Sequence, residues 1–265
     1  MGRYSEGGFR RVQGWLEPIS AEIIASLCEQ QREMGLSGSA CEIGVHHGKL
    51  LILLHEGTFS KERTIAIDVF EDQHLNTDGS GRGDKAQFLK NLKAWSDRPD
   101  FVDVVQSSSL DLRPSDILSK VDRVRIASID GGHTSQCAEH DLRLVEGAAH
   151  DYAVIIVDDV FNATWPDVMV GLSRYCADPT TKFRPFAISP NKLYLARHDY
   201  HEAYRAAMRK RWAQYFENDQ KMFDHTVGIY GLAATKAPIK TKVKNILKTT
   251  PLFPALRAVK RKIAA

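Results

Sequence analysis

The sequence predicts an α/β protein built on a doubly wound, mostly parallel sheet. Three observations carry that prediction. Short runs rich in branched aliphatics recur at "SACEIGV" (39–45), "RTIAIDVF" (63–70), "FVDVVQSSS" (101–109), "VRIASID" (124–130) and "DYAVIIVDDV" (151–160). Amphipathic stretches of helical spacing separate most of them, the alternation expected of a parallel sheet covered on both faces. Acids, glycines and small polar residues then fall where the runs end, at Glu42/Gly44, Asp68, Ser107, Asp130/His133 and Asp158/Asp159. Sheets of this kind bind ligands beyond the C-terminal ends of their strands.

Taken in order, "SAEIIASLCEQQREMGLSG" (20–38) reads as a helix with Ser20 as N-cap, Ile23, Ile24 and Leu27 as its apolar stripe, and Gly35 as its stop. The first strand, 39–45, turns into a helix at "GKLLILLHEG". The second, 63–70, alternates around Ile65 and Ile67 and gives way to a polar, Gly-rich loop, "EDQHLNTDGSGRGD" (71–84). That loop reads either as a lid over a substrate or as a plain flexible connection. A helix follows at 85–96, with Phe88, Leu89 and Leu92 at helical spacing, and then the third and fourth strands. After "GGH" a helix runs to about Val145, and the fifth strand ends in two acids. Pro166 suits the first turn of the helix "WPDVMVGLSRYC" (165–176). "FRPFAISPNKLYLAR" (183–197) reads as two strands around a Ser-Pro-Asn turn. A charged helix is predicted over 199–218, and "HTVGIYGL" reads as a weak last strand.

The 265 residues, 43% hydrophobic, suit one large domain with short appendages. We divide the chain into an N-terminal helical segment (1–38), a sheet domain (39–235) and a basic amphipathic tail (236–265). Cys28, Cys41, Cys137 and Cys176 show no metal-binding or paired spacing and read as reduced thiols. No apolar run approaches the length of a membrane span, and the N-terminus has no hydrophobic signal core, so a cytoplasmic protein is expected. The tail carries nine Lys and Arg between Lys236 and Lys262 and no acid, so the remainder is net acidic although the whole chain has a formal charge of +3. This tail reads either as a peripheral contact with an anionic membrane or acidic partner, or as a solvated, partly packed extension. Nucleic acid is not expected as a partner, because the body is acidic and the tail nearly lacks aromatics.

"EIGVHHG" places Glu42 at a strand end, with Gly44 and Gly48 around the turn into a helix. The spacing is not the G-x-G-x-x-G of dinucleotide sites, and Glu42 would repel phosphate yet could hold a cationic amino group. Asp68 stands where a ribose-binding acid would stand. At these residues the chain resembles the class I S-adenosylmethionine-dependent methyltransferases, from about Ala40 to Asp159. The resemblance implies a Rossmann-like, seven-stranded sheet with an antiparallel last hairpin. It implies that Glu42, Gly44 and Gly48 line the methionine moiety, that Asp68 holds the ribose, and that Ser107 or Ser108 approaches the adenine.

"IDGGH" followed by "VDDV" is similar to the branch of metal-dependent macrolide-sugar O-methyltransferases. Carried over, this implies Mg²⁺ on Asp130, Asp158 and Asp159, with His133 as the base. The chemistry agrees: a metal lowers the pKa of a sugar hydroxyl and orients it, a histidine takes the proton, and a divalent ion relieves the repulsion of adjacent carboxylates. Asp158 or Asp159 could equally cap the following helix, and His133 could be structural. His46 and His47 read as shaping the cofactor turn. The expected activity is therefore S-adenosylmethionine-dependent O-methylation of a sugar hydroxyl on a glycan or glycosylated metabolite, in a chain that could self-associate. A catechol-like small-molecule acceptor, a nicotinamide-dependent oxidoreductase and a non-catalytic binding protein are the alternatives.

Overall fold

The computed structural model describes residues 3–233. The basic tail from residue 236, with the membrane contact and the domain boundary expected there, lies outside the described residues. In chain order the elements are α1 (Pro18–Glu33), β1 (Ser39–Ile43), α2 (Lys49–Glu56), β2 (Thr64–Asp68), α3 (Lys85–Trp95), β3 (Val102–Gln106), α4 (Pro114–Leu118), β4 (Val124–Ile129), α5 (Ser135–Ala148), β5 (Ala149–Asp158), α6 (Pro166–Ala177), β6 (Phe183–Ser189), β7 (Lys192–Arg197), α7 (His198–Arg211), β8 (Phe216–Met222) and β9 (His225–Tyr230).

The aliphatic run of β5 shows why these residues make a central strand. Val154 and Ile156 enter the apolar layer under α1, α2 and α7, while Ile155 and Val157 enter the layer under α5 and α6. A strand whose alternate side chains all have a core to enter has no polar face. The sheet order is β3-β2-β1-β4-β5-β7-β6-β9-β8. Strands β1 to β5 pair in parallel, and β7 runs antiparallel to both β5 and β6. The α/β, Rossmann-like class holds, with nine strands in place of the expected seven. The two additional strands form an antiparallel hairpin that joins the edge through the parallel pairing of β6 with β9.

That hairpin corrects the helix expected over 199–218. The helix stops at Arg211, and 216–222 pairs with β9. Five of the seven residues of β8 are exposed, so the strand has little of the apolar alternation by which strands are recognised, and its pairing partner decides its conformation. Ser20 is likewise not the N-cap of α1. Glu17 occupies that position ahead of Pro18. Ser20 is instead buried, with its Oγ donating to the Pro190 carbonyl oxygen (2.6 Å) and 2.8 Å from Ser189 Oγ. The start of α1 is thereby tied to the β6–β7 turn. The four cysteines are free thiols. No helix among the described residues is long and apolar enough to cross a membrane.

On one side of β1 the chain order runs to β2 and on the other to β4. Where the two directions part, Gly44 N–H donates to the Ile67 carbonyl oxygen (2.9 Å) and Asp130 N–H to that of Ile43 (2.8 Å). The strand ends splay beyond this point and open the crevice that holds the site.

Candidate functional site

A cavity of about 400 Å³ opens over the C-terminal ends of β1, β2, β4 and β5. Of the residues expected for a cofactor, Gly44, Asp68 and Ser107 line it. Gly44 has φ 85°, and a Cβ there would lie 1.7 Å from the Asp130 carbonyl oxygen, so only glycine lets the two strand ends approach. Asp68 accepts from the backbone N–H groups of His46 (2.7 Å) and Phe70 (2.6 Å), which fixes both oxygens at the cavity wall. Burial, only partly offset by these bonds, raises its carboxyl above the usual range.

Glu42 and Gly48 lie outside the wall. Gly48 is the left-handed N-cap of α2, and a Cβ there would meet the Phe88 ring at 2.5 Å, so its smallness serves helix packing. Glu42 is buried, its Oε2 is without a hydrogen-bond partner, and burial followed by the field of Asp130 pushes its carboxyl well above the usual range. The rings of His46 and His47 stack at 3.8 Å, and His46 reaches the cavity.

At the other end of the cavity, Asp130, His133 and Asp159 bring donor atoms within 4.8 Å of one another, the group among the described residues that could hold a metal ion. His133 Nε2 lies 3.1 Å from Asp159 Oδ2 and 3.7 Å from Asp130 Oδ1. Burial opposes a charged imidazole, but the bonds from Asp130, Asp159 and Asp78 outweigh it and lift His133 to about 10. The same contact, with donors from Asn162 and Asn191, overcomes burial and holds Asp159 down to about 2. The two carboxylates offer hard oxygen donors that suit Mg²⁺ or Mn²⁺, with the imidazole beside them.

Asp158, expected among the metal ligands, also lines the cavity, but it faces Lys192. The two form an ion pair with side chains 4% and 2% exposed. Asp158 Oδ1 also accepts from Asn191 Nδ2 (2.7 Å) and from the backbone N–H of Asp159 (2.9 Å). Burial and Asp130 push this carboxyl upward, and Lys192 works against them. Lys192 keeps its proton against burial because Asp158, Asp130 and Glu42 surround it.

Asp159 has φ 59° and Asn191 φ 57°, a left-handed conformation that short polar side chains tolerate. That kink turns Asp159 away from the direction of β5 and toward His133. Asn162 Nδ2 and Asn191 Nδ2 then hold Asp159 Oδ1 at 2.8 and 2.9 Å.

Five contributors were not singled out from sequence: Asn191, Lys192, Asn162, Asp78 and Trp165. Asn191 and Lys192 belong to a segment that reads only as a turn and strand, and Asn162 to a loop after the acid pair. Asp78 sits in the Gly-rich loop, and its Oδ2 accepts from both the backbone N–H and Nδ1 (3.0 Å) of His133. The loop thus forms one wall of the cavity, through residues including Gln73, Thr77 and Ser80. Trp165 stacks on His133, with centroids 4.5 Å apart. No sequence signal pointed to Asp78, because its pairing with His133, 55 residues away, is a matter of tertiary placement.

Residues 41–160 match the model of a family described as a methyltransferase domain. No curated protein matches the chain by sequence. Among solved structures, the O-methyltransferase NovP superposes with a TM-score of 0.55 at 17% identity, covering 66% of this chain and 78% of its own. An O-methyltransferase from Bacillus cereus in complex with SAH gives 0.53 at 14%, covering 74% and 92%. A TDP-rhamnose 3'-O-methyltransferase of calicheamicin biosynthesis gives 0.50 at 15%, covering 68% and 80%. At these identities the likeness is one of fold.

Proposed function

We propose that this chain, whose residues 41–160 match the model of a methyltransferase-domain family, is an S-adenosylmethionine-dependent methyltransferase that methylates a sugar hydroxyl on a glycan or glycosylated metabolite with the help of a divalent cation. The observation that carries the proposal is the opening of Asp130, His133 and Asp159 into the same cavity as Gly44, Asp68 and Ser107. The cofactor end and a proton-accepting, cation-holding end are thereby contiguous. Two structural relatives, NovP and the rhamnose enzyme, are O-methyltransferases by name, and the second acts on a sugar.

In this reading Asp68 accepts the ribose hydroxyls, and Gly44 lets the cofactor approach the backbone. Ser107 lies on the adenine side. The unpartnered Oε2 of Glu42 and the small Gly48 belong to the support of the methionine end. The methyl group on a sulfonium is already activated, so the protein's task is to deliver an aligned, deprotonated oxygen. Asp130 and Asp159 would hold the cation. Asp158, braced by Lys192 and Asn191, fixes the turn that presents Asp159. His133 Nε2 is the atom that takes the hydroxyl proton, and Asp78 and Trp165 hold its ring in place. A divalent cation would supply two things here: a lower pKa for the bound hydroxyl, and neutralisation of the carboxylates that otherwise keep His133 protonated.

The test has two readouts. Calorimetry with S-adenosylhomocysteine should show binding that is lost in Asp68→Ala. Calorimetric titration with Mn²⁺ should show binding abolished by Asp130→Ala or Asp159→Ala and weakened about tenfold by Asp158→Asn, the usual scale for a residue that orients a ligand. Absence of homocysteine-analogue binding rejects the cofactor assignment. Mn²⁺ binding indifferent to Asp130 and Asp159 rejects the metal assignment.

A further inference from the structure

The cavity described above has a neighbour of about 410 Å³, bounded by the strap 14–18 and the β6–β7 turn, with Glu17, Pro18, Pro190 and Lys192 in its wall. The two share Trp15, Asp158, Asn162 and Asn191. The shared wall is thus the turn that presents Asp159, together with one aromatic ring. Building on the methyltransferase reading, in which the first cavity takes the cofactor and holds His133, the second lies against the turn that presents Asp159, so an acceptor whose hydroxyl reaches His133 can extend its remaining ring into it. We propose that this second cavity is the acceptor subsite, that Trp15 is its stacking platform, and that it takes a neutral polyhydroxylated ring rather than a phosphorylated sugar.

Trp15 is 76% exposed, the largest exposure among the large hydrophobic side chains of the described residues. An indole left in water at the mouth of two cavities forgoes a large burial, which an apolar ring face laid on it would recover. The ring is not on a loose end. Lys49 Nζ donates to the carbonyl oxygens of Val12 (3.1 Å) and Gly14 (2.8 Å), and two residues beyond the strap Ser20 ties α1 to Pro190. The opposite wall carries the side-chain amides of Asn162 and Asn191. Asn191 gives its two N–H groups to Asp158 and Asp159 and keeps Oδ1 as an acceptor, while Asn162, bonded to Asp159 and to the Thr164 N–H, keeps a second N–H, a donor and an acceptor that suit hydroxyls. The cavity's one cation, Lys192, is committed to Asp158, and Glu17 adds a negative charge. A phosphate placed there would find Lys192 already neutralised by Asp158 and would face Glu17, so the charge of the wall discriminates against it.

The full-length protein with S-adenosylhomocysteine and Mg²⁺ should be examined by saturation-transfer difference NMR with methyl α-glucopyranoside, methyl α-rhamnopyranoside, glucose 1-phosphate and catechol as probes. At least one methyl glycoside should receive saturation on one face of its ring. Trp15→Ala should weaken that binding by about tenfold, the scale of one aromatic contact, and Trp15→Phe should restore most of it. Glucose 1-phosphate should not bind. Calorimetry with S-adenosylhomocysteine on the same sample separates the two levels. If the cofactor analogue binds but no glycoside does, or if glycoside binding is indifferent to Trp15→Ala, or if glucose 1-phosphate or catechol is preferred, the subsite assignment is wrong. If the cofactor analogue does not bind, the methyltransferase reading fails and takes the assignment with it.

Discussion

Replacing Lys192 by methionine tests whether the site is held in shape by a buried ion pair. Lys192 and Asp158 are 2% and 4% exposed at their side chains and form their pair beside the turn that presents Asp159. Removing one member of a buried pair generally costs about 3–5 kcal/mol, because the partner is left charged in a poor solvent. Here Asp158 would keep two donors, the Asn191 amide and the backbone N–H of Asp159. Its carboxyl is also already pushed toward the protonated form by burial and Asp130. Both features offset part of the loss, which places the expected cost near the low end, about 3 kcal/mol. Urea denaturation of the full-length protein at pH 7 gives the value. A double variant, Lys192→Met with Asp158→Asn, should recover most of it, because no unpaired charge then remains, and the cycle should give a coupling energy of about 2 kcal/mol. A cost below about 1 kcal/mol for Lys192→Met, or strictly additive single and double variants, would refute the argument that this pair braces the turn.

Three further outcomes follow from the same geometry. Asp78→Ala removes the acceptor on His133 Nδ1 while leaving a partly exposed loop free to relax; turnover should fall by about tenfold or more with a thermal midpoint shift under about 2 °C, and a proportional loss of both would make Asp78 merely structural. Gly44→Ala would drive a Cβ into the Asp130 carbonyl at φ 85°, so stability should drop by about 3 kcal/mol or more in chemical denaturation, with cofactor binding lost; a folded, binding-competent variant would contradict the close approach. His55 is wholly buried with Nδ1 2.8 Å from Thr64 Oγ1 and Nε2 3.1 Å from the Arg98 carbonyl oxygen, an arrangement that satisfies the neutral ring, and burial followed by Arg98 lowers its pKa to about 4. A lowered histidine binds its proton more readily in the unfolded chain, so the stability it contributes is complete above about pH 6.5 and is lost as pH falls toward 4, by about 3 kcal/mol in all. His55→Gln should flatten that acid limb in denaturation curves between pH 7 and 4, and an unchanged slope would exclude His55 as its source.

The sequence by itself determined the α/β class and where the candidate site residues would gather. An unbroken apolar run such as Val154–Val157 can be satisfied only between two layers, and the residues left over must gather where such strands end. Gly44, Asp68, Asp130, His133 and the acid pair were legible for that reason, since each lies within a few residues of a strand terminus. Only the tertiary structure decided how those residues divide their roles. Asp158 and Asp159 are neighbours in sequence, yet the left-handed backbone at Asp159 sends one to Lys192 and the other to His133. That division depends on Asn191 and Lys192, more than thirty residues away, and on Asp78, whose loop has no periodicity from which a partner could be inferred. The edge hairpin was hidden for a related reason. An exposed strand such as β8 has little pattern of its own, and the backbone hydrogen bonds offered by β9 fix it. Local sequence records what a segment must bury; which charge meets which is set by the distance between chain segments after folding.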